Sequence, residues 1–279
     1  MPGPASDSSP SGSIFIHDRL AVTVTSVLLA AATISWIASY YLMPLMMMGG
    51  SSDMMTGMGV AAIVSSLSLP AIAFFEVVWV VGMAAMMFPA MIPMVLFYNQ
   101  VKTKLETNST LARVAGTPLF LAGYLVTYAL LGIGAYLTVY AALSLSSAIP
   151  ALLGLSLVAP SAVLIVAGIY QFSSLKNRCL SQCISPFGFF ATRSRTGLAG
   201  AFRMGFSHGT FCVGCCWAFM LVMLAVGAMS IPIMAALTGV IALEKVVVKG
   251  SVWFNRIVGL ALVSFGILVA FIPNVLASV

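Results

Sequence analysis

The sequence predicts an all-α membrane protein, a polytopic bundle of about seven transmembrane helices with the N-terminus in and the C-terminus out. Three observations predict it. Hydrophobic residues make up 61% of the 279 and charged residues only 6%, where a soluble domain carries roughly 25% charged residues; too few charges exist to cover a surface facing water. Several uncharged runs reach the roughly 20 residues that a helix needs to cross a bilayer core, while the alternating segments of about 10 residues that build a membrane barrel are missing. Lysine and arginine, finally, gather in every second loop, as the positive-inside rule requires.

Residues 1–18 are rich in Pro, Ser and Gly without apolar periodicity, which predicts a disordered cytoplasmic tail that cannot repay its ordering entropy. Residues 19–279 then form a single transmembrane domain. Its first apolar run, 20–41, is long for a signal-peptide core and is followed by no small-residue cleavage site, so it reads as a retained helix. Further helices are expected over 71–98, 114–143, 151–172, 201–228, 231–248 and 253–275. The apolar stretch 60–69 is too short to span and either lies in the interface or lengthens the second helix. Lys102, Lys104 and Arg113 mark one basic loop, Lys176, Arg178, Arg193 and Arg195 a second, and Lys245, Lys249 and Arg256 a third. The alternate loops, 43–70, 144–150 and 227–232, contain no Lys or Arg, which sets the orientation. The net charge of +6 thus follows membrane topology, and no nucleic-acid partner is indicated.

The five cysteines, Cys179, Cys183, Cys212, Cys215 and Cys216, are clustered in the C-terminal half, which points to metal or redox chemistry rather than to a disulfide framework. In HGTFCVGCCW, at 100° per residue, His208, Cys212 and Cys215 fall within about 60° of one another, with Cys216 at the edge of that face. Imidazole and thiolate suit Cu(I) or Zn(II), and a second helix must complete the shell. The competing reading is ordinary packing, because cysteine behaves as a small hydrophobe. Glu244 lies about 20 Å from the outer boundary, level with Cys215; it either joins the ligands or pairs with Arg203 or Lys249. Glu76 lies only about 8 Å down by the same count, which fits an entrance role or snorkelling to water. Cys179 and Cys183, beside Lys176 and Arg178, read as cytoplasmic exchange ligands or redox thiols, or as ordinary reduced cysteines.

Methionine is the other anomaly, at 18 residues. Met83, Met87, Met91 and Met94 share one helix face, a pattern common in plain core packing. In the outer loop 43–58, Met43 is followed by Met46, Met47, Met48, Met54, Met55 and Met58. Thioethers are soft Cu(I) ligands that need no deprotonation, so this loop reads either as a copper collector or as an interfacial segment that dips into lipid.

The segments GMAAMMFPAMIPM, YQFSSLKNRCLSQCISPFGFF, RMGFSHGTFCVGCCW and LEK together resemble the predicted metal-binding integral membrane proteins of bacteria and archaea, over roughly residues 70–250. By that resemblance the motif positions are Met86, Met87, Pro89, Tyr170, Lys176, Cys179, Cys183, Pro186, Arg203, Gly205, His208, Gly209, Cys212, Gly214, Cys215, Cys216, Trp217, Glu244 and Lys245. The expected function is transport, storage or delivery of a soft ion, copper first and zinc as the alternative, in the cytoplasmic membrane. Metal is gathered by the outer methionines, held by His208, Cys212, Cys215 and Cys216, and exchanged through Cys179 and Cys183. Partners would be lipid and a metallochaperone or membrane-complex subunits. With no ATPase P-loop in the sequence, transport would be passive, gradient-driven or chaperone-like. The rival readings are a membrane thiol oxidoreductase using Cys212 and Cys215 and a structural subunit of a larger complex.

Overall fold

A computed structural model of the chain describes residues 11–48, 64, 67–105, 110–148, 153–227 and 230–271, with the side chains at some helix ends excepted. All regular structure among them is helical. The elements are α1 (Ser11–Met48), α2 (Leu69–Leu105), α3 (Thr110–Ala148), α4 (Leu153–Tyr170), α5 (Ser174–Ile184), α6 (Pro186–Arg193), α7 (Gly197–Gly227), α8 (Ile231–Ala242) with a π-helical turn Leu243–Val247, and α9 (Val252–Phe271). Among the described residues, five segments are long and apolar enough to cross a membrane: Ala21–Leu42, Leu69–Lys102, Val114–Ala148, Gly197–Ala225 and Val252–Phe271. A sixth is reached if α4 and α5, which meet at a 68° bend, count as one broken span. The α8 helix has only 12 residues and does not qualify alone. Large apolar side chains such as Val22, Ile34, Leu260 and Phe271 are exposed on the outer helices, as contact with lipid requires.

At the centre stand α2, α3 and α7. Every residue from Gly82 to Phe88 on α2 is buried, so that stretch of the helix is enclosed on all sides rather than amphipathic. Pro89 and Pro93 lie within α2, which remains one continuous helix through both. The α3–α7 pair is held by backbone contact: a Cβ on Gly205 would overlap the Phe120 carbonyl, and one on Gly123 would overlap that of Phe202. Small residues at such crossings let backbones approach closely, which is how helices associate where lipid removes the hydrophobic drive. The two helices run parallel, since Phe120 meets Gly205 while Thr127, further along, meets Gly209. The α2 and α3 helices run antiparallel, with Trp79 donating to the Tyr128 carbonyl at 3.0 Å and Tyr98 stacked on Phe120. A second close approach, Gly168 against Gly259, joins α4 to α9.

Two parts of the chain differ from the sequence expectation. The helical backbone of α1 begins at Ser11, inside the stretch expected to be a tail. The segment after α4, expected to be a cytoplasmic loop, forms α5 and α6. Ser173 caps α5 by accepting from the Lys176 amide at 3.1 Å, and Ser185 with Pro186 starts α6, an arrangement of cap and N1 proline that favours helix initiation. The α5 helix folds back onto α7 and so carries its buried residues, Lys176 and Leu180, into the bundle.

Candidate metal centre

The site is assembled from α5, α7, α3 and the π-helical turn. On α7, Cys212, Cys215 and Cys216 are buried, and Cys179 and Cys183 on α5 are half-buried; all five are free thiols. The i, i+3, i+4 and i+7 spacing of Lys176, Cys179, Leu180 and Cys183 places them on one face of α5, and that face meets α7. A Cβ on Gly214 would strike the Cys179 sulfur at 2.7 Å, so glycine there lets α5 come close. The outcome is a group of three sulfurs, from Cys183, Cys212 and Cys215, all within 4.8 Å of one another. The Cys183 and Cys215 sulfurs are 3.8 Å apart.

A positive charge faces this group: the Lys245 ammonium is 2.8 Å from the Cys212 sulfur. Its neighbour Glu244 turns elsewhere and pairs with Lys176 at 2.6 Å, with both side chains almost wholly enclosed. Lys176 also donates to the Gln171 side chain and lies 5.0 Å from the centre of the Phe219 ring. Consecutive Glu and Lys can both point inward because the chain is locally a π-helix, a widened turn that recurs at functional sites. It ends with Lys249 and Gly250 at positive φ, the left-handed conformation that stops helices. On the α3 side, the Tyr124 hydroxyl lies 3.2 Å from the Cys212 sulfur and the Tyr128 hydroxyl 3.9 Å from that of Cys216. The Cys215 and Cys216 thiols donate to the Cys212 carbonyl at 3.1 and 2.8 Å.

A family model described as PpoB2, copper chaperone, matches residues 76–269. The chain belongs to this family. Neither a curated protein nor a solved structure matches it. The matched stretch of the PpoB2 family holds all five cysteines, His208, Lys176, Glu244 and Lys245; it excludes α1 and the methionine-rich loop. A copper chaperone family agrees in kind with the metal-binding membrane family that residues 70–250 resemble.

Within this PpoB2 chain the ligand candidates separate. Cys212 and Cys215 come together, joined by Cys183 rather than by His208. The imidazole lies a turn away, between the rings of Phe120, Tyr124 and Phe189, with its Nδ1 buried and without a hydrogen-bond partner. Cys216 adjoins the cluster through the Cys212 carbonyl, and Cys179 packs against Gly214. Glu244 is engaged by Lys176, not by Arg203 or Lys249, the partners expected from the sequence. Met83 and Met87 are fully buried, in the same hydrophobic core as Cys212, Cys215 and Cys216. Met54, Met55 and Met58 lie outside the described residues, as do the side chains of Met46, Met47 and Met48. Glu76 does not snorkel: both carboxylate oxygens are buried without a hydrogen-bond partner, pressed against Gly132. Lys176 and Lys245 are motif positions of the resemblance, which gives no partner for either; the structure pairs Lys176 with Glu244 and Lys245 with the Cys212 sulfur. The available signal was the adjacency of Glu and Lys in an apolar run, because unpaired charge is costly there.

Proposed function

We propose that this chain is a multi-pass cell-membrane protein that binds Cu(I) and delivers it to a partner. The observation that carries the reading is the group of three sulfurs within 4.8 Å in a chain of a copper chaperone family. The donor set fits the ion: with metal–sulfur bonds of about 2.3 Å, sulfurs around a trigonal metal stand about 4 Å apart, and thiolate is the ligand Cu(I) prefers. Cu(I) with two thiolates carries one negative charge and with three carries two; Lys245 offsets charge that the membrane interior would otherwise penalise. Cys183, only half-buried, is the thiol through which the ion leaves, with Cys179 next in line. Cys216 and His208 are reserve donors beside the cluster, and Met83 and Met87 extend the soft surface along α2. Glu244 serves as the counter-ion of Lys176.

The experiment is metal analysis of detergent-purified protein. About one copper per chain is expected, with affinity lowered at least ~10-fold in Cys212→Ser, Cys215→Ser and Cys183→Ser and less in His208→Ala. Full copper content in all three serine variants would remove the reading, and zinc retained in place of copper would reassign the metal. A thiol oxidoreductase is the second reading, favoured by the 3.8 Å between the Cys183 and Cys215 sulfurs. Thiol trapping separates the two: a chaperone keeps these cysteines reduced, whereas an oxidoreductase shows a disulfide that cycles with growth conditions.

The proposal includes seven crossings, with α8 and its π-helical turn as the sixth and α9 as the seventh; residues 1–18, whose last part is the start of α1, lie on the cytoplasmic side, and the methionine-rich stretch 43–58, which begins in the last turns of α1, lies on the outer side. A tag after Val279 should then be reached from outside and a tag near Arg193 only from the cytoplasm; a cytoplasmic C-terminus would end this topology. The outer loop is proposed to gather Cu(I) through Met46, Met47, Met48, Met54, Met55 and Met58. Replacing these six by Leu keeps the apolar character and removes the sulfur, so slower copper loading at unchanged capacity is expected. Unchanged loading would make the loop an interfacial anchor.

A further inference from the structure

At the corner between α6 and α7 lies a half-open cleft of about 810 Å³ lined by Thr192, Arg193, Ser194, Arg195, Arg203 and Ser207. A shallower extension of about 410 Å³ shares Ser194, Arg195 and Arg203. All three arginines are exposed. Arg193 is braced, donating to the Ser207 hydroxyl at 3.4 Å and lying 4.7 Å from the centre of the Phe211 ring. The two glutamates with described side chains cannot neutralise the cleft. Glu244 is taken by Lys176, and Glu76 sits against Gly132, well along α3 from the level of Arg203, which Phe120 and Gly123 mark. Three guanidinium groups around one cleft, and no carboxylate among the described residues to fill it, call for an anion with several acceptor oxygens; the Thr192 and Ser194 hydroxyls already donate to backbone carbonyls of α6. The planar fork of arginine matches phosphate oxygens in pairs.

From this geometry we infer that the cleft binds the phosphodiester headgroup of an anionic phospholipid. Its position favours a lipid over a free anion: Arg193 and Arg195 directly precede the apolar stretch of α7, which begins at Gly197, while Arg203 lies six residues inside it, within reach of headgroups through its long side chain. Phe206 and Phe187 are exposed beside them, where acyl chains would run. Basic pockets at the ends of transmembrane helices recognise such headgroups. The site depends on the membrane reading but not on copper. A bound headgroup would hold the α6–α7 corner, which packs Phe189 against His208 and follows directly on the helix that carries Cys183.

The test uses the full chain purified in detergent, with phosphatidylglycerol, phosphatidylcholine, inorganic phosphate and poly-glutamate as separate probes. Thermal unfolding and native mass spectrometry are the readouts. Phosphatidylglycerol should be retained and should raise the midpoint, while phosphatidylcholine should not. The double variant Arg195→Gln/Arg203→Gln should bind phosphatidylglycerol roughly 30-fold more weakly, at about fivefold per charge lost. It should keep wild-type copper content, which separates this site from the thiol cluster and shows that the variant folds. Equal phosphatidylglycerol binding by wild type and double variant would overturn the inference. So would an equal midpoint rise with inorganic phosphate, which would make the cleft a free-anion site, or a rise with poly-glutamate alone, which would assign it to an acidic protein partner.

Discussion

Glu244→Ala is expected to destabilise the protein by about 3–5 kcal/mol, because it leaves the Lys176 ammonium enclosed without a counter-charge. The pair is at 2.6 Å with both side chains nearly inaccessible, and the amide of Gln171 and the face of Phe219 that remain do not carry charge. Lys176→Met should cost a similar amount by stranding the carboxylate. The double variant Lys176→Met/Glu244→Leu should recover most of the loss, since replacing both members of a buried pair by apolar groups is often neutral. Denaturation in mixed detergent micelles measures all three. Additive losses in the double variant would show that the two groups do not act as a pair.

Gly205→Val should have an effect at least as large, about 3 kcal/mol or more, because the added side chain meets backbone rather than a flexible neighbour. A Cβ there overlaps the Phe120 carbonyl, so α3 and α7 must separate. That separation moves Tyr124 away from Cys212, now at 3.2 Å, and copper content should fall with stability. The matched control is Gly134→Ala on α3, where an added Cβ meets nothing within 4 Å; it should be neutral or gain up to ~1 kcal/mol from helix propensity. Equal loss in the two variants would mean that the α3–α7 crossing is not held by glycine contact.

The apolar runs made the long helices legible, because length and lack of charge are sufficient to identify a span. Their ends were less so: α2 and α3 continue into the stretches of Lys102 and Ser147 that composition had assigned to loops. The α5 helix was not legible, since its Lys, Asn, Arg and Gln residues resemble a cytoplasmic loop, and the signal that it folds back was the Lys176, Leu180, Cys183 spacing. Without that fold-back, Cys183 belongs to a cytoplasmic loop and Lys176 to its charge; with it, the Cys183 sulfur joins those of Cys212 and Cys215. Likewise, the helical wheel groups His208 with Cys212 and Cys215 as one stripe, but α3 and α6 place aromatic rings around the imidazole while α5 brings a thiol to the cysteines. Which neighbour completes a stripe is a property of packing, which one helix's periodicity does not contain.

The most direct test of the thiol cluster as a copper site is X-ray absorption at the copper edge of the purified, Cu(I)-loaded chain. Two or three sulfur neighbours at about 2.3 Å are predicted, with one sulfur fewer or a nitrogen or oxygen in its place in Cys183→Ser. A wild-type spectrum dominated by nitrogen or oxygen, or one unchanged by Cys183→Ser, would contradict the assignment.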